Sequence, residues 1–116
     1  MRRFILAIPL LLAAPPADAG SFPALASYYG GGHDHLNART ASGERFRAGA
    51  MICAHRTMPF GTRLLVSHAG HSVVVRVADR GPAQWTGRSL DLSRGAAAQL
   101  GMIRAGVAQV TIAILD

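Results

Sequence analysis

The sequence predicts a small, mainly β fold that closes on itself and carries one short helix. Residues 72–78 and 110–115 alternate between two faces with the two-residue period of a strand, and one face is more apolar. One alanine-rich segment, 94–100, has the composition and the flanking residues of a helix. Glycine and proline interrupt much of the remaining chain. Because short strands must bury one face and protect their edges, we expect a closed barrel.

The N-terminus has the three regions of a secretory signal peptide. Two arginines precede an apolar run at residues 4–14, and a small-x-small triplet that ends at Ala19 follows it. The run is much shorter than the roughly 20 residues that a membrane-crossing helix needs. Pro9 also interrupts it. We therefore expect a signal peptide at residues 1–19 and one domain at residues 20–116.

The sequence predicts three strands between residues 24 and 78. A β-prone run at residues 24–29 ends at a glycine triplet. Residues 63–67 and 72–78 are separated by a short segment containing Gly70, which suits a hairpin. The second of these strands has the clearest alternation. Its apolar face is formed by Val73, Val75 and Val77.

The C-terminal part is expected to hold the helix and a closing strand. Ser93 is placed to act as the N-cap of a helix at residues 94–100. Gly101 is placed to end this helix in the left-handed conformation. Residues 110–115 then form a strand that completes the barrel.

Charge and cysteine content limit the classes of partner. The formal net charge is +6, and every basic residue is an arginine. No basic run with interleaved aromatic residues supports nucleic-acid binding. A basic exported domain meets anionic cell-wall polymers and membrane surfaces first. The single cysteine, Cys53, cannot form an intramolecular disulfide, and its apolar neighbours indicate a buried structural thiol.

Three carboxylates stand in distinctive positions. Glu44 lies in a Ser-Gly-Glu sequence, Asp79 directly follows the clearest strand, and Asp91 precedes the helix. A carboxyl group at a strand end, shielded by apolar neighbours, can have its pKa raised enough to act as a general acid. The alternative is structural. An aspartate before Arg-Gly-Pro is a common turn residue, and an aspartate near a helix start often binds backbone amides.

Histidine and cysteine offer further kinds of site. His55 can orient a carboxylate or share its proton, although a lone histidine more often packs or binds the backbone. Cys53 would share a strand face with His55, but a nucleophilic thiol needs an electropositive, exposed setting. His33 and His35 are spaced to chelate a metal from an extended strand. No third ligand lies at a convincing spacing, so we expect no metal.

Three aromatic residues are candidates for sugar binding. Flat rings pack on sugar faces, although tyrosine in a strand serves equally well in the core. Tyr28 and Tyr29 end the first predicted strand. Trp85 lies in the loop that follows Asp79, where it can line a groove beside the acid.

Five motifs occur in order along nearly the whole of the expected domain. They lie at residues 26–30, 39–46, 54–62, 73–82 and 91–103. This set resembles the RlpA-like (rare lipoprotein A) family of septal-ring lytic transglycosylases. The resemblance implies a double-psi β-barrel of six strands with a short helix. That fold is similar to the core of expansins.

The resemblance also implies an activity. It is cleavage of the β-1,4 bond between N-acetylmuramic acid and N-acetylglucosamine in peptidoglycan, with formation of a 1,6-anhydro product and no cofactor. The family's important positions fall on Asp79, Glu44 and His55. We expect Asp79 to be the acid/base, and the other two to shape its pKa or hold the glycan. Asp91 is the second choice for the acid. The residues expected to bind substrate are Tyr28, Tyr29, Arg80, Trp85 and Asp91.

The chain also departs from the family. Arg47 stands where an acidic residue is common, and the lipid-attachment cysteine and C-terminal SPOR repeat of many relatives are missing. We therefore expect a soluble, periplasmic or secreted monomer that acts on peptidoglycan glycan strands without a membrane anchor. The rival is an expansin-like binding module that loosens the polymer without cutting it. A metal-dependent hydrolase using His33 and His35 is a more distant alternative.

Overall fold

The computed structural model describes residues 20–29 and 39–115. The expected signal peptide and the segment with His33 and His35 lie outside these ranges, so the predictions about them stay predictions. No helix in the described ranges is long and apolar enough to cross a membrane. The elements in chain order are β1 (Ser21–Tyr29), β2 (Ile52–Ala54), β3 (Arg63–His68), β4 (His71–Asp79), a 3₁₀ helix (Gln84–Thr86), β5 (Leu90–Ser93), α1 (Arg94–Leu100) and β6 (Ala108–Ile114).

The six strands form one closed barrel. Their order around the barrel is β1-β5-β2-β4-β3-β6, and β6 pairs with β1 to complete the ring. β1 is parallel to β5 and β2 is parallel to β4, whereas the other neighbours are antiparallel. Closure removes the unpaired strand edges that would otherwise invite aggregation. The predicted mainly β barrel of six strands with one short helix is confirmed.

Alternate residues of the strands fill the barrel. In β4, Val73, Val75 and Val77 are buried, while Val74 and Arg76 face outward, which confirms the predicted apolar face. The predicted apolar face of β6 is likewise buried, except at its exposed last residue. The largest other side chains of the barrel core are Leu64, Leu90, Leu92, Leu100 and Met102. Ile52 is buried in a second cluster with Phe46 and Ala78.

The hairpin and the helix follow local sequence signals. Ala69 and Gly70 have φ values of 48° and 86° and form a two-residue turn, which is tighter than the predicted connection. α1 begins after Ser93, whose hydroxyl accepts a hydrogen bond from the N–H of Ala96. The helix ends at Gly101 with φ of 75°. Both predicted helix caps are therefore confirmed.

The sequence patterns do not predict β2 and β5. All three residues of β2 are buried, and three of the four residues of β5 are buried. A two-residue period appears only where one face of a strand meets solvent. These strands are covered on both sides, so their residues show no such alternation.

Candidate functional site

Two carboxylates lie on either side of β2 in the barrel wall. Ala54, the last residue of β2, is paired with Asp79 of β4 and with Asp91 of β5. Neighbouring strands lie roughly 4.8 Å apart, so the backbones of the two aspartates are about 10 Å apart. The register of β2 against β4 shifts between Cys53 and Ala54, so the regular alternation of side chains is interrupted at this point. The barrel therefore brings Asp79 and Asp91 to one site.

Two backbone N–H groups hold the side chain of Asp79. Its Oδ1 atom accepts hydrogen bonds from the N–H of Ala41 and from the N–H of Arg80, each at 2.9 Å. Ala41 belongs to residues 39–50, which we call the arm, and the arm also bonds to the backbone of β4. Among the described residues, Oδ2 has no hydrogen-bond partner. This orientation leaves Oδ2 as the oxygen that can exchange a proton with a ligand.

His55 follows β2 and lies beside Asp79. Its backbone N–H donates to the carbonyl of Asp79 at 3.1 Å. Its ring Nδ1 accepts hydrogen bonds from the N–H groups of Thr57 at 3.1 Å and Met58 at 3.0 Å. Burial, and then two nearby arginines, lower the pKa of His55 below its ordinary value. The ring is therefore neutral near pH 7, with Nδ1 as acceptor and Nε2–H as a donor.

Glu44 is paired with an arginine on the outer face of β4. Arg76 donates to both carboxylate oxygens, at 2.6 and 3.0 Å, and Ser42 donates to one of them at 3.3 Å. The hydrogen bond from Arg76 lowers the pKa of Glu44. An ionised carboxylate has no proton to donate. Glu44 is therefore placed to anchor the arm against β4 and not to act as the acid.

This ion pair predicts a sensitivity to acid. Because the folded-state pKa of Glu44 is lowered from 4.5, its stabilisation is complete above that value and is lost as the pH falls through the folded pKa. The side chains of Arg76 and Glu44 are 46% and 34% exposed. Solvent screening therefore limits the effect to about 0.5 kcal/mol. Glu44→Gln should lower the free energy of unfolding near neutral pH but not in strong acid. A difference that persists in strong acid would contradict this assignment.

The two tyrosines at the end of β1 have different surroundings. Tyr28 packs against the barrel core, and its hydroxyl donates to the carbonyl of Ile103 at 3.0 Å. Burial raises the pKa of Tyr29, and the charges of Asp79 and Asp91 raise it further. Tyr29 is paired with Ser93 of β5, two residues beyond Asp91. Tyr29 belongs to the candidate site, whereas Tyr28 is placed as a core residue.

Arg80 is held by the segment that follows β2. Its Nη1 donates to the carbonyl oxygens of His55 at 3.1 Å and Met58 at 2.7 Å. Its guanidinium lies 4.0 Å from the centre of the Phe60 ring, in a cation–π contact. These contacts join the residue that follows Asp79 to the segment that contains His55. Arg80 therefore fixes the position of His55 relative to Asp79.

Trp85 lies on the 3₁₀ helix and is 87% exposed. Arg56 holds its loop by donating from Nη1 to the carbonyl oxygens of Pro82 at 2.9 Å and Arg88 at 2.8 Å. An isolated, almost fully exposed indole is costly to hydrate unless it meets a partner. The loop thus presents a flat apolar surface of the kind that packs on sugar rings.

Asp91 and Cys53 both interact with other residues of the barrel. Asp91 accepts a hydrogen bond from the hydroxyl of Ser27 at 2.9 Å. Cys53 is fully buried, and burial, followed by the charge of Asp91, raises its pKa to about 12. A buried thiol that stays protonated is not a nucleophile. The structure therefore agrees with the structural thiol predicted for Cys53 and gives no support to a Cys/His nucleophile.

Residues 20–29 and 39–115 contain no group of three or more His, Cys, Asp or Glu side chains that could hold a metal ion. A structural zinc site needs about four ligands and a catalytic one about three. His33 and His35 lie outside the described ranges. The two-histidine alternative therefore stays a prediction.

Sequence patterns did not single out three residues that shape the site. Ser27 bonds to Asp91, 64 positions away, and Arg76 bonds to Glu44, 32 positions away. Arg56 bonds across 26 and 32 positions to the loop that carries Trp85. Strand alternation does place Arg76 on the outer face of β4. No local pattern identifies its partner, because that depends on where the arm crosses the barrel.

The chain is similar to a family of wall-active enzymes. A family model described as lytic transglycolase matches residues 22–112. The probable endolytic peptidoglycan transglycosylase RlpA of Nostoc sp. is 54% identical over 97 residues, which cover 82% of this chain and 26% of that protein. The endolytic peptidoglycan transglycosylase RlpA of Campylobacter jejuni is 40% identical over 93 residues, which cover 78% and 33%. The chain thus spans about a quarter to a third of the length of these curated relatives.

Solved structures share the barrel. An expansin of Clavibacter michiganensis superposes with a TM-score of 0.66 at 25% identity, covering 83% of this chain and 50% of that one. A Streptomyces papain inhibitor has a TM-score of 0.66 at 23% identity, covering 84% and 96%. The inhibitor's likeness concerns the fold alone. The family match and this structural likeness together confirm the predicted double-psi β-barrel.

Proposed function

Because the chain belongs to the RlpA-like family of double-psi β-barrel lytic transglycosylases, we propose that it is itself an endolytic peptidoglycan transglycosylase. Its relatives are much longer proteins, so the proposal is that the barrel alone carries the reaction. The observation that carries it is the geometry of Asp79. Backbone N–H groups hold one carboxylate oxygen, which leaves Oδ2 for proton exchange.

Asp79 is the single acid/base of the proposed mechanism. Its Oδ2 protonates the oxygen between N-acetylmuramic acid and N-acetylglucosamine, and the bond from that oxygen to C1 breaks. The C6 hydroxyl of the same muramic acid attacks C1 and gives its proton to Oδ2. These steps form the 1,6-anhydro ring and regenerate the acid without water. A second carboxylate is not required, because the nucleophile belongs to the substrate.

The neighbouring residues have positioning and binding roles in this proposal. His55 offers its Nε2–H to a glycan oxygen next to Asp79. Glu44 anchors the arm whose backbone holds Oδ1 of Asp79. Tyr29 lines the site beside both aspartates, and Asp91 is the alternative acid. Peptidoglycan lies outside the cytoplasm, so the proposed site of action is the periplasm or the cell exterior, as the N-terminal sequence pattern predicts.

Trp85→Ala is expected to weaken the binding of glycan strands about tenfold, because the indole supplies an apolar face to a sugar ring. The chain contains one tryptophan, so its fluorescence reports on this contact directly. Saturation with strands should move the emission to shorter wavelength. Val107→Ala, which trims another exposed apolar side chain, is the control and should bind normally. If saturation left the emission of the wild-type protein unchanged and Trp85→Ala bound with wild-type affinity, Trp85 would not belong to the binding surface.

Digestion of purified sacculi tests the proposed reaction. Mass spectrometry of the soluble products should find 1,6-anhydromuramyl ends, which are lighter by one water than hydrolysed ends. Hydrolysed reducing ends would assign a hydrolase instead. Binding to sacculi without soluble products would assign the expansin-like binding module, whose fold likeness makes it the rival function.

A further inference from the structure

Two arginines on the arm have no role in the proposed reaction. Phe46 is the buried residue of the arm, and its neighbours Arg45 and Arg47 are exposed on the opposite side of the chain. Neither guanidinium forms an ion pair or hydrogen bond within the part of the chain that the structure describes. Both charges therefore face solvent.

The arm that carries these charges also contacts the site. Its Ala41 N–H binds Oδ1 of Asp79 at 2.9 Å, and its Ser42 N–H binds the carbonyl of Ala78 at 3.1 Å. Arg47 is close enough to Glu44 to contribute to the lowering of the pKa of that carboxylate. Glu44 is already paired with Arg76 through both oxygens. Phe46, the residue between the two arginines, packs against Tyr29 with ring centroids 5.4 Å apart. The arm arginines therefore flank a residue that contacts the site, and they are available to an external anion.

We propose that Arg45 and Arg47 bind carboxylate groups of the glycan strand, and so favour muramyl glycan over a neutral β-1,4 glycan. This inference rests on the proposed function. Each muramic acid bears a lactyl group whose carboxyl is either free or joined to a stem peptide with carboxylates of its own. Polymers of N-acetylglucosamine bear neither. A guanidinium binds a carboxylate through two parallel hydrogen bonds, which adds recognition to charge attraction.

Equilibrium binding to three soluble glycans tests this proposal. They are amidase-treated strands with free lactyl carboxylates, uncross-linked strands that retain stem peptides, and neutral chitin oligomers. Arg45→Gln and Arg47→Gln are each compared with Arg104→Gln, which removes one charge from an exposed side chain elsewhere. Arg104 is exposed and lies in the turn after α1, outside the arm.

Each arm variant is expected to bind anionic strands about three- to fivefold more weakly, with a larger loss at low ionic strength. Chitin binding and the control variant should be unchanged. A loss confined to one anionic glycan identifies the lactyl or the peptide carboxylate as the source. Equal losses in all three variants, or an equal loss on chitin, would overturn the proposal. If the binding contrast holds but no strand is cut, the selectivity stands and only the transglycosylase assignment fails.

Discussion

Asp79→Asn is expected to reduce the formation of 1,6-anhydro products from sacculi by about 100- to 10,000-fold, the usual contribution of a general acid/base. An amide cannot release a proton to the glycosidic oxygen or take one from the C6 hydroxyl. The asparagine oxygen can still accept the hydrogen bonds from Ala41 and Arg80 that hold the arm. The loss therefore reports on proton transfer and not on the position of the arm.

Asp91→Asn is the matched control for this experiment. It makes the same change of atoms, and its amide oxygen can still accept the hydrogen bond from Ser27. Sacculus binding and thermal unfolding of both variants should stay close to wild type. If Asp91→Asn abolished product formation while Asp79→Asn did not, the acid role would pass to Asp91. Full activity in both variants would leave neither aspartate as the acid.

Gly95→Ala is expected to lower the free energy of unfolding by about 3 kcal/mol, the upper end of the usual cost of overpacking. Gly95 lies in the first turn of α1, and its N–H donates to the carbonyl of Ala48 in the arm at 2.8 Å. A Cβ at this position would lie 2.9 Å from both the Cα and the carbonyl oxygen of Gly49. Backbone atoms cannot rotate away, so the helix and the arm would have to separate. This contact reverses the gain of about 1 kcal/mol that alanine normally brings to a helix.

Gly49→Ala tests the same contact from its other side. A Cβ on Gly49 would have no atom within 4 Å, so the change is expected to stay within about 0.5 kcal/mol. Chemical denaturation of both variants gives the comparison. Because the arm orients Asp79, Gly95→Ala should also lower product formation, whereas Gly49→Ala should not. Equal stability of the two variants would mean that α1 and the arm do not pack as described.

Local sequence patterns were sufficient to predict an element that has one face toward solvent and the other toward the core. β4 shows this best, because three inward valines alternate with outward residues along the strand. The ends of α1 were also predictable, since Ser93 and Gly101 act on their own neighbouring backbone groups. β2 and β5 were not predictable in this way, because the barrel core lies on one side of them and the arm on the other. Ile52 is buried with Phe46 of the arm, and the hydroxyl of Ser93 donates to the carbonyl of Ala50.

For the candidate site, too, local sequence patterns predicted some features and only the tertiary structure decided the others. The sequence by itself determined a closed, mainly β domain with carboxylates at a strand end and before the helix, because alternation, caps and motifs act over short distances. Only the tertiary structure decided that Asp79 and Asp91 flank Ala54, and that Glu44 is held by Arg76. Those outcomes depend on barrel closure and strand register, which join residues far apart in the chain. The tertiary structure likewise places the N–H of Ala41 against Asp79 and leaves Arg45 and Arg47 exposed.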